Sequence, residues 1–191
     1  MHITFLNQKG GVGKTTTSIL IGGTLHSAGY SIAFDDRDEQ GSLSWWNSEI
    51  GKIPTKAISE NPDVILCDTP GRLDLNHVSG QRTLEPILQT TDRLVIVTEK
   101  SPISIQATKP AVEFALKHIK PGAKVMILFN KVRTQTRIGK TMTLPPIDGV
   151  RVLTNYLPLA APYENVQLDG MQAVSGQYKE LVLKLALEIL L

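Results

Sequence analysis

The chain has 191 residues, 41% apolar and 20% charged, with a formal net charge of +2. That is enough for one compact domain with a sizeable core, and it is not the composition of a disordered or fibrous protein. The single cysteine, Cys67, excludes a disulfide framework, a four-thiolate zinc site and an iron–sulfur cluster held by this chain alone, which fits a reducing cytosol. The opening residues show no basic leader with a long apolar region, and no run reaches about 18 apolar residues, so neither export nor membrane spanning is expected.

In chain order, residues 3–6 predict a first buried strand, 14–28 a helix, 31–34 a weaker strand, 42–50 a helix and 64–67 a strand. Residues 84–90 then predict a helix, 94–97 a strand, 105–119 a helix, 125–129 a strand, 150–153 an edge strand and 177–190 a helix. The stretch 133–149, rich in Thr, Lys, Arg and Pro, predicts a surface loop or short helix. Strands that are apolar on both faces and alternate with helices predict an α/β fold, with a mostly parallel, twisted sheet and helices on both faces.

Residues 7–17 read NQKGGVGKTTT, directly after the first strand and before the first helix. Gly10, Gly11 and Gly13 allow backbone turns that other residues resist, so successive amides can face phosphate oxygens while the helix start points its positive end at them. Lys14 adds a point charge, and the Thr15 hydroxyl suits a magnesium ion bridging the phosphates. Gln8 stands where the general phosphate-loop pattern has its first glycine, and Lys9 is an added lysine.

This KGGVGKT form resembles the deviant Walker A motif of the ParA/MinD ATPases, closest to the ParA branch. The resemblance implies a single P-loop NTPase domain over residues 1–191, with ATP/ADP and Mg2+ as cofactors. It assigns nucleotide contacts to Lys9, Gly10, Gly11, Val12, Gly13, Lys14, Thr15 and Thr16, and makes Lys9 and Lys14 catalytic, Lys9 reaching the partner subunit's phosphates across an ATP-bridged homodimer. Residues 35–41, DDRDEQG, resemble the family's DxDxQG segment, so Asp38 is expected to orient the attacking water and to lie near the metal. Asp36 is then a structural or metal-proximal neighbour, and Glu39 stands where the family usually has proline.

Asp68 ends an apolar strand, as a Walker B aspartate holding magnesium does, and Cys67 beside it reads as core. The following DTPG also fits the DxxG of GTPases, but the fourth strand ends Asn130-Lys131-Val132-Arg133, lacking the aspartate that pairs with guanine. ATP is therefore expected, with Asn130 resembling the family asparagine that contacts adenine and Pro158 a second member of that pocket. Ser101, Pro102 and Ile103 resemble a proline-containing segment near the family's dimer interface, and Tyr163, Glu164, Asn165 and Gly170 its late Y/A…G segment.

Residues 109–151 hold nine basic and two acidic residues, a net +7 against −5 elsewhere, which fits a surface facing a polyanion or a solvated basic face. The resemblance implies ATP-dependent, sequence-independent DNA binding by the dimer, with Lys109, Lys117, Lys120, Arg133, Arg137 and Lys140 as candidates. It further implies a centromere-binding or cargo-adaptor partner that stimulates hydrolysis, and a cytoplasmic, nucleoid-associated prokaryotic setting. Two other readings are a positioning ATPase for a protein cargo and a MinD-like membrane cycler. Against the latter, the helix over 177–190 mixes Lys179 and Lys184 with two acids, which suits packing on the domain better than lying on a membrane. Glu180, Lys184 and Glu188 form its predicted polar stripe, and one of Trp45 and Trp46 is expected to face inward.

Overall fold

The computed structural model describes residues 1–75 and 77–191. Runs rich in aliphatic and β-branched side chains form six strands: β1 His2–Leu6, β2 Ile32–Asp36, β3 Val64–Asp68, β4 Arg93–Glu99, β5 Lys124–Asn130 and β6 Val150–Val152. Every pairing is parallel, in the order β2-β3-β1-β4-β5-β6. β1 is central, with Phe5 beside Asp68 on one side and Val95 on the other. The chain leaves β1 toward β2 on one side and leaves the adjacent β4 toward β5 on the other, which opens a crevice at the carboxyl ends of these two strands.

Among the described residues the α-helices are α1 Lys14–Ser27, α2 Ser42–Trp46, α3 Val78–Thr90, α4 Pro102–His118, α5 Arg137–Thr141, α6 Ala161–Asp169 and α7 Gly176–Leu190, of which α5 buries no residue. Period-two alternation sends Ile3, Phe5, Val95, Val97, Met126 and Leu128 into one core, shared with Ile19, Leu20 and Ile21 of α1, Val166 of α6 and Leu185 and Ile189 of α7. Leu6, Leu94, Ile96, Val125 and Ile127 enter the other, beneath Leu84 and Leu88 of α3 and Ala111 and Ala115 of α4. Each fully buried Leu or Ile contributes about 1.5–3 kcal/mol, so both layers are needed. α1 sits close on the sheet because Gly22 has no Cβ, which would stand 2.6 Å from the Phe34 ring.

The helix expected over 42–50 is α-helical only to Trp46 and continues as a π-helical turn over Asn47–Gly51. The wider turn seats the Trp46 ring against Gly51, where a Cβ would come within 2.3 Å. Trp46 is buried and its Nε1 donates to the Val166 carbonyl at 2.8 Å, tying α2 to α6, while Trp45 faces solvent. α3 begins six residues before its expected start, and α4 begins at Pro102, where the Ser101 hydroxyl accepts from the Ser104 amide at 3.2 Å. α6 was not expected from the sequence at all. No helix among the described residues is long and apolar enough to cross a membrane.

The stripe expected along α7 is corrected at one position. Lys184 and Glu180 pair at 2.7 Å in solvent, but Glu188 is buried and accepts from the amides of Thr154 (2.7 Å) and Asn155 (2.9 Å), fastening α7 to the turn after β6. Burial alone would raise the Glu188 carboxyl, yet these donors outweigh it and hold it below the usual glutamate range. Its ionised form therefore stabilises the fold above that range, and the contribution is lost as pH falls through it. Urea unfolding of Glu188→Gln should show a deficit of about 1–3 kcal/mol at neutral pH, shrinking as the pH is lowered into the acid range; a deficit independent of pH would assign the loss to shape instead of charge.

Candidate functional site

The segment after β1 is shaped by donors from the end of β5 and from α1. Asn130 at the end of β5 donates Nδ2 to the Val12 carbonyl at 2.8 Å, Lys131 donates Nζ to the Gly11 carbonyl at 2.8 Å, and Thr17 donates both its amide and its hydroxyl to the Gly13 carbonyl. Three successive carbonyls are thus committed to partners within the chain. Gly11 (φ 76°) and Gly13 (φ 93°) lie in the left-handed region that makes this turn possible. At Gly13 a Cβ would also stand 2.2 Å from Asn130 Nδ2. α1 then begins with no side-chain cap and no acidic residue in its first turn, leaving its amides for an anion. Asn7, buried at the base of the loop, fixes it to the sheet through Val97 O (2.7 Å) and Thr108 Oγ1 (3.2 Å) and accepts from the Lys9 amide.

Lys14 is buried; burial lowers its pKa while Asp68 and Asp38 hold it up. Asp68 Oδ2 accepts from the Thr15 hydroxyl at 2.5 Å, and its Oδ1 is buried without a partner. Burial is the main reason the Asp68 carboxyl is pushed up to about 6, with the Thr15 contact and Lys14 opposing it. A buried carboxylate oxygen with no donor, beside a threonine hydroxyl at the mouth of a phosphate loop, is an oxygen set that fits Mg2+. Asp38 accepts from the Gly71 amide at 2.8 Å and from the Gln40 amide at 3.1 Å, which holds its loop against the segment after β3. Asp36 proves structural: it accepts from the amides of Asp38 and Ser44.

A cavity of about 530 Å³ opens over the loop, in the size range of small-ligand sites. Of the expected residues it is lined by Gly11, Gly13, Lys14, Thr15, Thr16, Asp38, Asn130 and Pro158. Val12 turns into the core, Asp68 lies fully buried behind Thr15, and Gly10 faces an adjoining cavity with Arg37, Asp38 and Arg72. Lys9 points out of the nucleotide cavity, half exposed, with Nζ 3.7 Å from Glu99. Asn130 uses one amide hydrogen on Val12 and accepts from the Lys131 amide, which leaves half of its hydrogen-bonding capacity for a ligand. Sequence reasoning missed Asn7, Gly71, Lys131, Leu159, Ala160 and Gln167; the last lies on the unexpected α6, beside Tyr163 and Glu164.

The six basic candidates do not share one surface. Arg133, Arg137 and Lys140 are exposed on and before α5, near the carboxyl end of β5. Lys109 and Lys117 are exposed on α4. Lys120 is a correction: it is half-buried at the amino ends of the strands, where Asp92 holds its Nζ at 2.5 Å and the Thr90 carbonyl accepts from it at 3.1 Å. Arg151 and Lys124 are likewise committed, to Glu188 and to the Leu191 carbonyl. The position where a guanine-reading motif needs aspartate is the exposed Arg133.

Gly13→Ala adds a methyl at a left-handed position against Asn130. It should abolish binding of a fluorescent ATP analogue while the far-ultraviolet circular dichroism is unchanged; retained binding would mean that the loop has a second working shape.

Residues 3–187 match the family model of the CobQ/CobB/MinD/ParA nucleotide binding domain. The maintenance of carboxysome distribution protein A of Gloeobacter kilaueensis is 30% identical over 195 aligned residues, which take in 93% of this chain and 85% of the relative. Among solved structures, the MinD cell division protein of Aquifex aeolicus superposes with a TM-score of 0.72 at 17% identity, over 99% of this chain and 96% of that one. The pNOB8 ParA bound to nonspecific DNA superposes with a TM-score of 0.61 at 19% identity, over 99% and 97%.

Proposed function

Because the chain belongs to the CobQ/CobB/MinD/ParA nucleotide-binding domain family, we propose that it is a ParA-type ATPase. In this reading it dimerises on ATP, grips DNA without regard to sequence, and releases it on hydrolysis stimulated by a partner protein. The observation that carries this reading is the loop itself: carbonyls drawn back by Asn130, Lys131 and Thr17, an uncapped helix start, and the additional Lys9 standing outside the cavity. A lysine that points away from its own phosphate site is available to a second copy.

Lys14 and the α1 amides bind the phosphates, and Asp38, held by Gly71 at the cavity wall, positions the attacking water. Thr15 and Asp68 would hold Mg2+, which neutralises charge on the phosphates when bound. Arg37 is engaged by Asp35 at 2.7 Å, and no arginine among the described residues lines the cavity over the loop, so intrinsic turnover is expected to be slow until a partner acts. Arg133 in place of the guanine-reading aspartate favours ATP over GTP.

DNA segregation is the leading use of this switch. Positioning of a protein cargo is the second, favoured by the relative named for carboxysome distribution. A MinD-like membrane cycle is disfavoured because α7 buries Val182, Leu185, Ala186 and Ile189 against the domain.

Binding to a duplex of arbitrary sequence, with ATP, ADP, GTP or no nucleotide at two salt concentrations, tests the reading. Tight, salt-sensitive binding with ATP alone is expected, and replacing Arg133, Arg137 and Lys140 together by alanine should abolish it while ATPase activity remains. Absence of duplex binding with every nucleotide would move the function to protein or membrane positioning. Lys9→Ala should bind nucleotide as a monomer yet fail to dimerise with ATP, and Asp38→Ala should hold the ATP dimer closed; sedimentation velocity reads both, and a normal ATP dimer of Lys9→Ala would overturn the assignment across the dimer.

A further inference from the structure

Three side chains from adjacent strands meet on the sheet face opposite α1, and nothing in the nucleotide site uses them. β3 lies between β2 and β1; Cys67 is in register with Asp35 on one side and with Thr4 on the other, and His2, two residues before Thr4, shares Thr4's face. The His2 ring nitrogen, an Asp35 carboxylate oxygen and the Cys67 sulfur all lie within 4.8 Å of one another, with Nε2 and Oδ2 at 3.9 Å.

The surroundings are those of a ligand set. The Thr90 backbone lies against the His2 imidazole and favours its protonated form, while Nε2 is buried with no hydrogen-bond partner. A backbone carbonyl beside the imidazole is how proteins orient histidine ligands. Asp35 is similarly steadied, accepting from Arg37 Nε through Oδ1 and turning Oδ2 toward His2. Cys67 is fully buried, while the His2 and Asp35 side chains keep 14% and 11% exposure, so the three lie just beneath the surface.

We propose that His2, Asp35 and Cys67 form a binding site for a borderline-soft divalent cation of the Zn2+ class, separate from the hard-cation set of Thr15 and Asp68. Ligand atoms around a tetrahedral ion stand roughly 3.4–3.6 Å apart, so the Nε2–Oδ2 separation of 3.9 Å, with the sulfur within 4.8 Å of both, closes with side-chain movements of about 1 Å. Coordination replaces the thiol proton of Cys67 by a metal–sulfur bond, the proton passing to solvent. One position stays open for water. The ion pins β2, β3 and β1 together at the sheet edge that carries the Asp38 loop, with Arg37 remaining on the outer oxygen of Asp35.

The test is titration of the nucleotide-free protein with Co2+ alone. Because Cys67 is the single cysteine, a thiolate-to-cobalt charge-transfer band reports this site unambiguously. The band should saturate at one ion per chain, be abolished by Zn2+, survive excess Mg2+, and vanish in Cys67→Ala and His2→Gln. Circular dichroism and binding of a fluorescent ATP analogue verify that the variants fold. Should Cys67→Ala not fold, His2→Gln at the half-buried start of β1 gives the same reading. No band in the parent protein, displacement of the ion by Mg2+, or an undiminished band in His2→Gln would each overturn the proposal.

Discussion

The nucleotide site depends on the backbone of one loop being held by side chains from outside it. A phosphate cradle needs several amides aimed at one point, and amides aim together only if the intervening carbonyls are satisfied elsewhere. Here the donors come from Asn130, Lys131 and Thr17. Two of these stand at the end of β5, two strands away from β1 in the sheet, so the loop's shape is a property of the strand order and not of the loop alone.

From that constraint the rest is ordered outward. β3 on one side of β1 delivers Asp68 beneath Thr15, while β4 on the other offers the Val97 carbonyl to Asn7. The Asp38 loop reaches the cavity because its carboxylate accepts from Gly71, in the segment that follows β3. The floor and one wall of the site are therefore parts of the same sheet edge. The far wall, made by α6, is set instead by packing through Trp46.

The strands, their parallel arrangement and the loop were legible in the sequence because each rests on local pattern: short aliphatic runs, glycines after a strand, a carboxylate at a strand end. What escaped depends on contacts between distant segments. α6 has apolar residues without a clear helical stripe, and two of them, Tyr163 and Val166, become core only once Trp46 and α7 are in place. Glu188 fits the i, i+4 spacing of a solvated stripe, but the turn after β6 supplies amides that no pattern on α7 announces. Lys120 counted as part of a basic surface because charge adds up along a chain, whereas Asp92 claims it in space. Asn7 read only as the first residue of the loop, and its task appears only when β4 and α4 stand beside it.

The paired indoles on α2 have a practical side. Trp45 is solvated and Trp46 sealed, and they are the two tryptophans of the chain. The fluorescence of the protein is accordingly the sum of a water-relaxed emitter and an apolar one, and the apolar one is hydrogen-bonded to the helix that walls the nucleotide cavity. Any change in how α6 packs on Trp46 would register in the blue part of the emission spectrum, so the chain carries its own optical reporter for the wall of the cavity without any added label.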